Sequence, residues 1–127
     1  KEHEQDFVYA PDGSHLLASF QGRYKMYGGK PNPRVITRYV TEKFIGLGPF
    51  WYGHHAAFQY NFNAALMQVK HRALILTNTG DQIYSNALLA NEMRPDIKFI
   101  ELKGGGVDVV DQLPRAWTNS VIGFLRE

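Results

Sequence analysis

The sequence predicts an α/β fold in which helices come first and a short parallel sheet follows. Two short apolar runs, residues 73–77 and 97–102, are typical of strands in a buried parallel sheet. The connection between them is longer than a dozen residues and has a helical pattern, which favours a parallel pair over a hairpin. No strand pattern occurs before residue 70, so we predict that the preceding part of the chain is helical.

The first predicted helix covers residues 14–27. Ser14 is a candidate cap because its hydroxyl can accept a hydrogen bond from an early backbone N–H group, and Gly28 ends the pattern. The apolar residues that recur at helical spacing, and that predict its buried face, are Leu16, Leu17, Phe20, Tyr24 and Tyr27.

A second helix is predicted over residues 33–47. Asn32 is its candidate cap, and Pro33 stands at the first helical position, where a missing N–H group has no cost. Two shorter helices are predicted over residues 53–60 and 63–67. The apolar stripe of the second helix is predicted to contain Ile36, Tyr39, Val40, Phe44 and Leu47.

The second half of the chain reads as strand, helix, strand, helix. The helix between the strands is predicted over residues 84–93, and the final helix begins at Pro114. We therefore divide the chain into a helical segment, residues 1–68, and a β-α-β-α unit, residues 69–127. The face of the last helix that we expect to pack on the sheet contains Trp117, Val121, Phe124 and Leu125.

Composition excludes several classes of function. The formal charge of +2 is small and the basic residues are scattered, so we do not expect a nucleic-acid surface. The chain has no cysteine, which excludes disulfides and thiolate chemistry. No apolar run is long enough to cross a bilayer, so we expect no membrane span and a cytoplasmic location. No motif indicates a cofactor.

Several short motifs, in their order and spacing, are similar to the C-terminal end of an α/β-hydrolase. The resemblance is strongest from about Val69 onward, and the aromatic helices before it resemble the cap segment of such enzymes. The motifs that carry it are Asp12-Gly13-Ser14-His15-Leu16, Asn78-Thr79-Gly80-Asp81, Arg94-Pro95-Asp96, Gly104-Gly105-Gly106, Asp111-Gln112, Pro114 and Ala116-Trp117.

The resemblance implies a site at the end of the predicted strands. Asp81 stands at the family's position for the acid of a catalytic triad, where it would orient a histidine. The histidine is usually followed by a proline seven residues later, and counting back from Pro114 reaches Val107, which cannot carry a proton. The chain also has no Gly-x-Ser-x-Gly nucleophile motif. Asp108 is a candidate replacement base, although it is also an ordinary loop residue.

A substrate pocket is predicted in the cap-like segment. Trp51, His54 and His55, together with the aromatic Phe50, could line it, because caps close over active sites in enzymes of this kind. The alternative is that these aromatic residues form the core of the segment. His54 and His55 are adjacent and point about 100° apart on a helix, so we expect no metal site there.

The predicted sheet is too small to be complete. Two parallel strands leave unpaired backbone groups at their outer edges, so we expect a homo-oligomer or association with a missing N-terminal portion. Two hypotheses follow. One is the acid-bearing part of a hydrolase that acts on a small ester, amide or activated carbon–carbon bond and is inactive alone. The other is a non-catalytic binding or assembly module on the same scaffold.

Overall fold

The computed structural model describes residues 8–46 and 51–127, and in these ranges the chain is a mixed α/β protein with more helix than strand. The chain divides into two compact units, Lys1–Tyr60 and Asn61–Glu127. The predicted helical segment 1–68 therefore comprises the first unit and the first helix of the second. The interpretation of that segment as a cap stays a prediction.

The first unit contains three helices in its described part. These are α1 (Ser14–Tyr27), α2 (Pro33–Ile45) and α3 (Tyr52–Gln59), and α1 packs against α2. The predicted helix positions agree to within two residues at the ends that the structure describes, which is the usual uncertainty of helix ends. The last predicted residue of the second helix, Leu47, lies outside the described residues.

The predicted caps have different outcomes. Asn32 caps α2 as expected, because its side-chain oxygen accepts a hydrogen bond from Arg34 N at 3.0 Å. Ser14 as the cap of α1 is wrong. Gly13 takes that position with a left-handed φ of 76°, and the carboxylate of Asp12 accepts the Ser14 N–H at 3.0 Å. Asp12 lies two residues upstream, where its carboxylate reaches the N–H in an Asx turn.

The apolar stripe of α2 is confirmed over its described length. Ile36 is fully buried, and Tyr39, Val40 and Phe44 are partly buried. The predicted face of α1 is only partly right. Phe20 and Tyr27 are partly buried, because α1 packs on α2. A neighbouring helix covers only a narrow strip of α1, and three members of the predicted face are exposed: Leu16, Leu17 and Tyr24.

The second unit contains the sheet. Its elements are α4 (Phe62–Gln68), β1 (Leu74–Asn78), α5 (Tyr84–Met93), β2 (Lys98–Leu102), α6 (Val109–Gln112) and α7 (Pro114–Arg126). The two strands are parallel, as predicted, with Leu74 opposite Lys98 and Asn78 opposite Leu102. The helix α5 connects them and packs on β1. The short helix α6 is absent from the sequence prediction.

A small core lies beneath α5. Leu66, Ala90 and Ile97 are buried together, from α4, α5 and the approach to β2. The strands are less buried than their apolar sequence suggested, since Leu74, Ile75 and Leu76 are each only partly buried. The strands stay partly exposed because, in the described part of the chain, only two helices cover them, with α5 packed on β1 and α7 packed on β2.

The final helix packs on β2, as predicted. Its side chains Trp117, Val121 and Phe124 are partly buried. Leu125 does not belong to this face, because it is 66% exposed. It follows Phe124 directly, and one residue along a helix is a rotation of about 100°, which takes its side chain away from the sheet.

The helices are short. None of those in residues 8–46 and 51–127 combines the length and the apolar character that a membrane crossing requires.

Candidate functional site

The carboxyl ends of β1 and β2 carry two polar loops that meet. The first loop runs from Asn78 to Asp81, and the second contains the three glycines 104–106. In open α/β sheets, ligands bind in the crevice outside this edge of the strands. The two loops therefore form the candidate site of the second unit.

Asn78 joins the two loops from within. It is 1% exposed, and its Nδ2 donates hydrogen bonds to Gly104 O at 3.2 Å and to Gly106 O at 3.1 Å. An asparagine amide has two donor hydrogens, so one side chain satisfies both carbonyls. Asn78 thus holds the glycine loop against the end of β1.

Two further side chains complete this link. The hydroxyl of Thr79 accepts the Gly104 N–H at 2.8 Å, and Thr79 N donates to Leu102 O at 3.0 Å. The side-chain carbonyl of Gln112, in α6, accepts the Gly106 N–H. The N–H and C=O groups of Gly104 and Gly106 are therefore bonded to side chains from β1, its following loop and α6.

Glycine is required where the loops touch. A Cβ atom placed on Gly80 would lie 1.8 Å from Gly105 O, which no side chain could tolerate. Gly104 and Gly105 adopt left-handed φ angles of 78° and 69°. The close approach and the two turns explain these glycines without a bound phosphate.

Asp81 stands at the mouth of this junction, at the position predicted for a catalytic acid. Its N–H donates to Asn78 O at 3.1 Å, and its Oδ1 accepts the Ile83 N–H at 2.9 Å. The side chain is partly buried, and Oδ2 accepts no hydrogen bond from the described residues. The carboxylate is therefore held in one orientation by an Asx turn and keeps one oxygen for another donor.

The loop that follows β2 carries the position predicted for a histidine. Val107 is partly buried directly after the glycines, and Asp108 is 6% exposed at the start of α6. The backbone carbonyl of Asp108 accepts the N–H groups of Asp111 and Gln112, both at 3.0 Å. Asp108 thus begins the helix, and its burial leaves little room for a substrate to reach it.

A tyrosine and a glutamate lie beside this edge. The Tyr84 hydroxyl, in the first turn of α5, donates a hydrogen bond to the Glu101 carboxylate of β2. This bond raises the pKa of Tyr84 above its ordinary value, because the neighbouring carboxylate disfavours the phenolate.

We compared the chain with known proteins. No family model, curated protein or solved structure matches it. The assignment of a function therefore rests on the residues and their geometry.

The three residues predicted for a substrate pocket all lie in the first unit. Trp51 and His55 are one helical turn apart, with ring centroids 5.3 Å from each other in an edge-to-face arrangement. His54 is exposed, and its ring stacks on that of Phe58 with 6.5 Å between the ring centroids. It also lines an open cavity of about 870 Å³ between α1, α2 and α3. Trp51 and His55 do not line that cavity. The predicted contribution of Phe50 lies outside the described residues.

The described residues contain no cluster of candidate metal ligands. Over residues 8–46 and 51–127, no three histidine, aspartate or glutamate side chains lie close enough together to hold an ion.

The roles of Asn78, Thr79 and Gln112 in joining the loops were not predicted. The only sequence signal was an asparagine that ends an apolar strand, followed by a threonine and a glycine. Their partners are between 6 and 28 residues away in the chain, so local patterns do not reveal them.

Proposed function

We propose that this chain is the acid-bearing C-terminal part of an α/β-hydrolase-like enzyme that acts on a small ester, amide or activated carbon–carbon bond. Asp81 is the catalytic acid in this proposal. Val107 stands at the usual histidine position and cannot transfer a proton. The nucleophile and the proton-transferring base are therefore other residues. The observation that carries the proposal is the contact between the Asp81 loop and the glycine loop that leads to Val107.

The geometry supports a role for Asp81 in orienting another group. The Asx turn holds its Oδ1, so the carboxylate does not rotate, and Oδ2 remains for an N–H or O–H donor. A carboxylate held in this way keeps an imidazole in one tautomer and stabilises the cation that forms during proton transfer. The close contact of Gly80 with Gly105 sets the distance between the two loops.

The base must come from elsewhere in the molecule. Val107 has no ionisable group, and the second unit contains one histidine, His71, which precedes β1 and so lies at the opposite end of the strands. Asp108 is buried and begins a helix, which makes it a poor acceptor for a substrate proton. We infer that no histidine of the second unit fills this role.

The test uses the full-length protein, assayed with p-nitrophenyl acetate. Asp81→Asn should lower kcat/KM by roughly 10²- to 10⁴-fold, because the amide cannot stabilise the imidazolium. The amide keeps the Oδ1 acceptor of the Asx turn, so the circular dichroism spectrum and the unfolding midpoint should change little.

Asp12→Asn is the matched control. Asp12 accepts the N–H of the residue two positions later, Ser14, at 3.0 Å, in the same kind of turn as Asp81. It should leave ester hydrolysis near the wild-type rate. Equal losses in the two variants would remove the case for Asp81 as the acid.

A non-catalytic binding or assembly module is the second candidate. The partly buried Val107 favours it, because a hydrolase that has lost its proton shuttle would keep the loops and the crevice but not the reaction. If the full-length protein has no Gly-x-Ser-x-Gly motif and does not hydrolyse the ester, the enzyme proposal fails and this one stands.

A further inference from the structure

The second unit contains an open cleft at the opposite end of its strands from the candidate site. It has a volume of about 550 Å³, within the range of small-molecule sites. Its walls are the segment that leads into β1, the turn that leads into β2, and the last turn of α7. Five residues of strand separate it from Asp81, a distance of roughly 16 Å.

The cleft has an excess of positive charge. Its lining includes four cationic side chains and two acidic side chains, those of Asp96 and Glu127. Both carboxylates are already paired: Asp96 with Arg94 at 2.7 Å, and Glu127 with Lys98. Lys70 and Arg72 are the two cations of the lining that have no side-chain carboxylate beside them among the described residues.

Lys70 and Arg72 differ from the paired cations of the same cleft. Among the residues that the structure describes, no carboxylate lies within ion-pairing distance of either. The Arg72 guanidinium lies over the Phe124 ring, 4.5 Å from its centroid. Stacking fixes the plane of the guanidinium while its N–H edge stays available for two parallel bonds to an oxyanion.

The walls of the cleft are held together by Arg94. Its guanidinium donates to Leu66 O at 2.6 Å, to Val69 O at 3.1 Å and to both Asp96 oxygens at 2.7 Å. These bonds connect the end of α4, the approach to β1 and the approach to β2. The backbone around Lys70 and Arg72 is therefore positioned before any ligand arrives.

We propose that this cleft binds a small organic phosphate or a similar dianion, with Arg72 and Lys70 on the oxyanion and Phe124 and Ile97 beside an apolar body. The planar fork of Arg72 matches two phosphate oxygens, and Lys70 supplies a second point charge. The site is separate from the Asp81 junction and does not depend on the proposed hydrolase activity.

The test titrates the 127-residue chain with phenyl phosphate, inorganic phosphate and benzyl alcohol, followed by two-dimensional amide NMR. Phenyl phosphate should give saturable shifts confined to residues 69–73, 96–98 and 124–127. Inorganic phosphate should bind the same residues more weakly, because it lacks the apolar body, and benzyl alcohol should not bind at all. Shifts scattered over the surface, or no saturation with phenyl phosphate, would overturn the proposal.

Two double variants of equal charge separate a site from general attraction. Lys70→Gln with Arg72→Gln should weaken phenyl phosphate binding at least about tenfold, since charge-assisted hydrogen bonds are lost. Lys103→Gln with Arg115→Gln removes two exposed cations that do not line the cleft and should change affinity less than about twofold. If both double variants weaken phenyl phosphate binding equally, the ligand is attracted by the net charge of the protein and the proposed site is rejected. If the first pair prevents folding, the wild-type shift map decides.

Discussion

Asn78 shows how one side chain can connect two loops that are far apart in sequence. It ends β1 facing inward, and its amide reaches carbonyls 26 and 28 residues later in the chain. These hydrogen bonds are partly buried, and a carbonyl that loses its donor there keeps part of the cost of desolvation. At the residue scale, the shape of the candidate site therefore depends on the Asn78 amide, which holds the two loops together.

Replacing Asn78 should loosen the site and destabilise the second unit. Asn78→Ala removes the donor for Gly104 O and Gly106 O, and we expect the free energy of unfolding in urea to fall by roughly 1–3 kcal/mol. Asn119→Ala is the control, because Asn119 is exposed on α7 and its loss should change stability by about 0.5 kcal/mol or less. Similar unfolding midpoints for Asn78→Ala and wild type would contradict the proposed link.

At the element scale, the turn between α5 and β2 is held by a charged pair. The Arg94 guanidinium donates to both carboxylate oxygens of Asp96, and this lowers the pKa of Asp96 below its ordinary value of 3.8. The same guanidinium bonds the end of α4, so the turn and the helix are coupled. The pair lies at the surface on the Asp96 side, which limits its contribution.

This pair predicts a pH dependence of stability. Because the folded state lowers the pKa of Asp96, its contribution is fully present above the unfolded-state pKa near 3.8 and is lost as the pH falls through the lower folded-state pKa. Asp96→Asn should therefore destabilise the protein at neutral pH and show a smaller loss of stability on acidification than wild type. Thermal unfolding measured between neutral and acidic pH checks this.

Glu92→Gln is the control for that series, since it removes an exposed carboxylate of α5 that forms no ion pair with any residue the structure describes. Its unfolding curves should follow those of wild type across the pH range. Identical curves for Asp96→Asn and wild type would show that the Arg94 pair has no influence on folding.

At the scale of the whole molecule, the sheet of the second unit has two strands among the described residues. Among the described residues, β1 pairs with β2 alone, and its apolar residues 74–76 stay partly exposed. The second strand carries exposed Lys98 and Glu101, which is typical of an edge, whereas the first has no charged residue. We therefore expect the outer edge of β1 to be the one that another strand joins.

This expectation concerns association. Sedimentation velocity of the 127-residue chain should show species larger than the monomer, because strand pairing and apolar burial both favour contact at β1. Leu76→Lys should shift the population toward the monomer, while Lys103→Glu, directly after β2, should not. A chain that stays monomeric at all concentrations would contradict the assignment of β1 as an inner strand.

The sequence alone predicted the order of the elements except for the short helix α6. Apolar runs, caps such as Asn32 and helix-starting prolines such as Pro33 and Pro114 act over a few residues, so the helices, the strands and their parallel pairing were predictable. Asp81 was named from the resemblance to an α/β-hydrolase, and its role stays a prediction.

Only the tertiary structure decided which side chains hold the site together. The contacts of Asn78 with the glycine loop, the approach of Gly80 to Gly105 and the bonds of Arg94 to α4 and Val69 each join segments that are distant in sequence. The partial exposure of β1 was equally hidden, since burial depends on the neighbours that the fold supplies and not on the apolar run itself. Local patterns determine elements because their energies are local, whereas a site forms where separate elements meet.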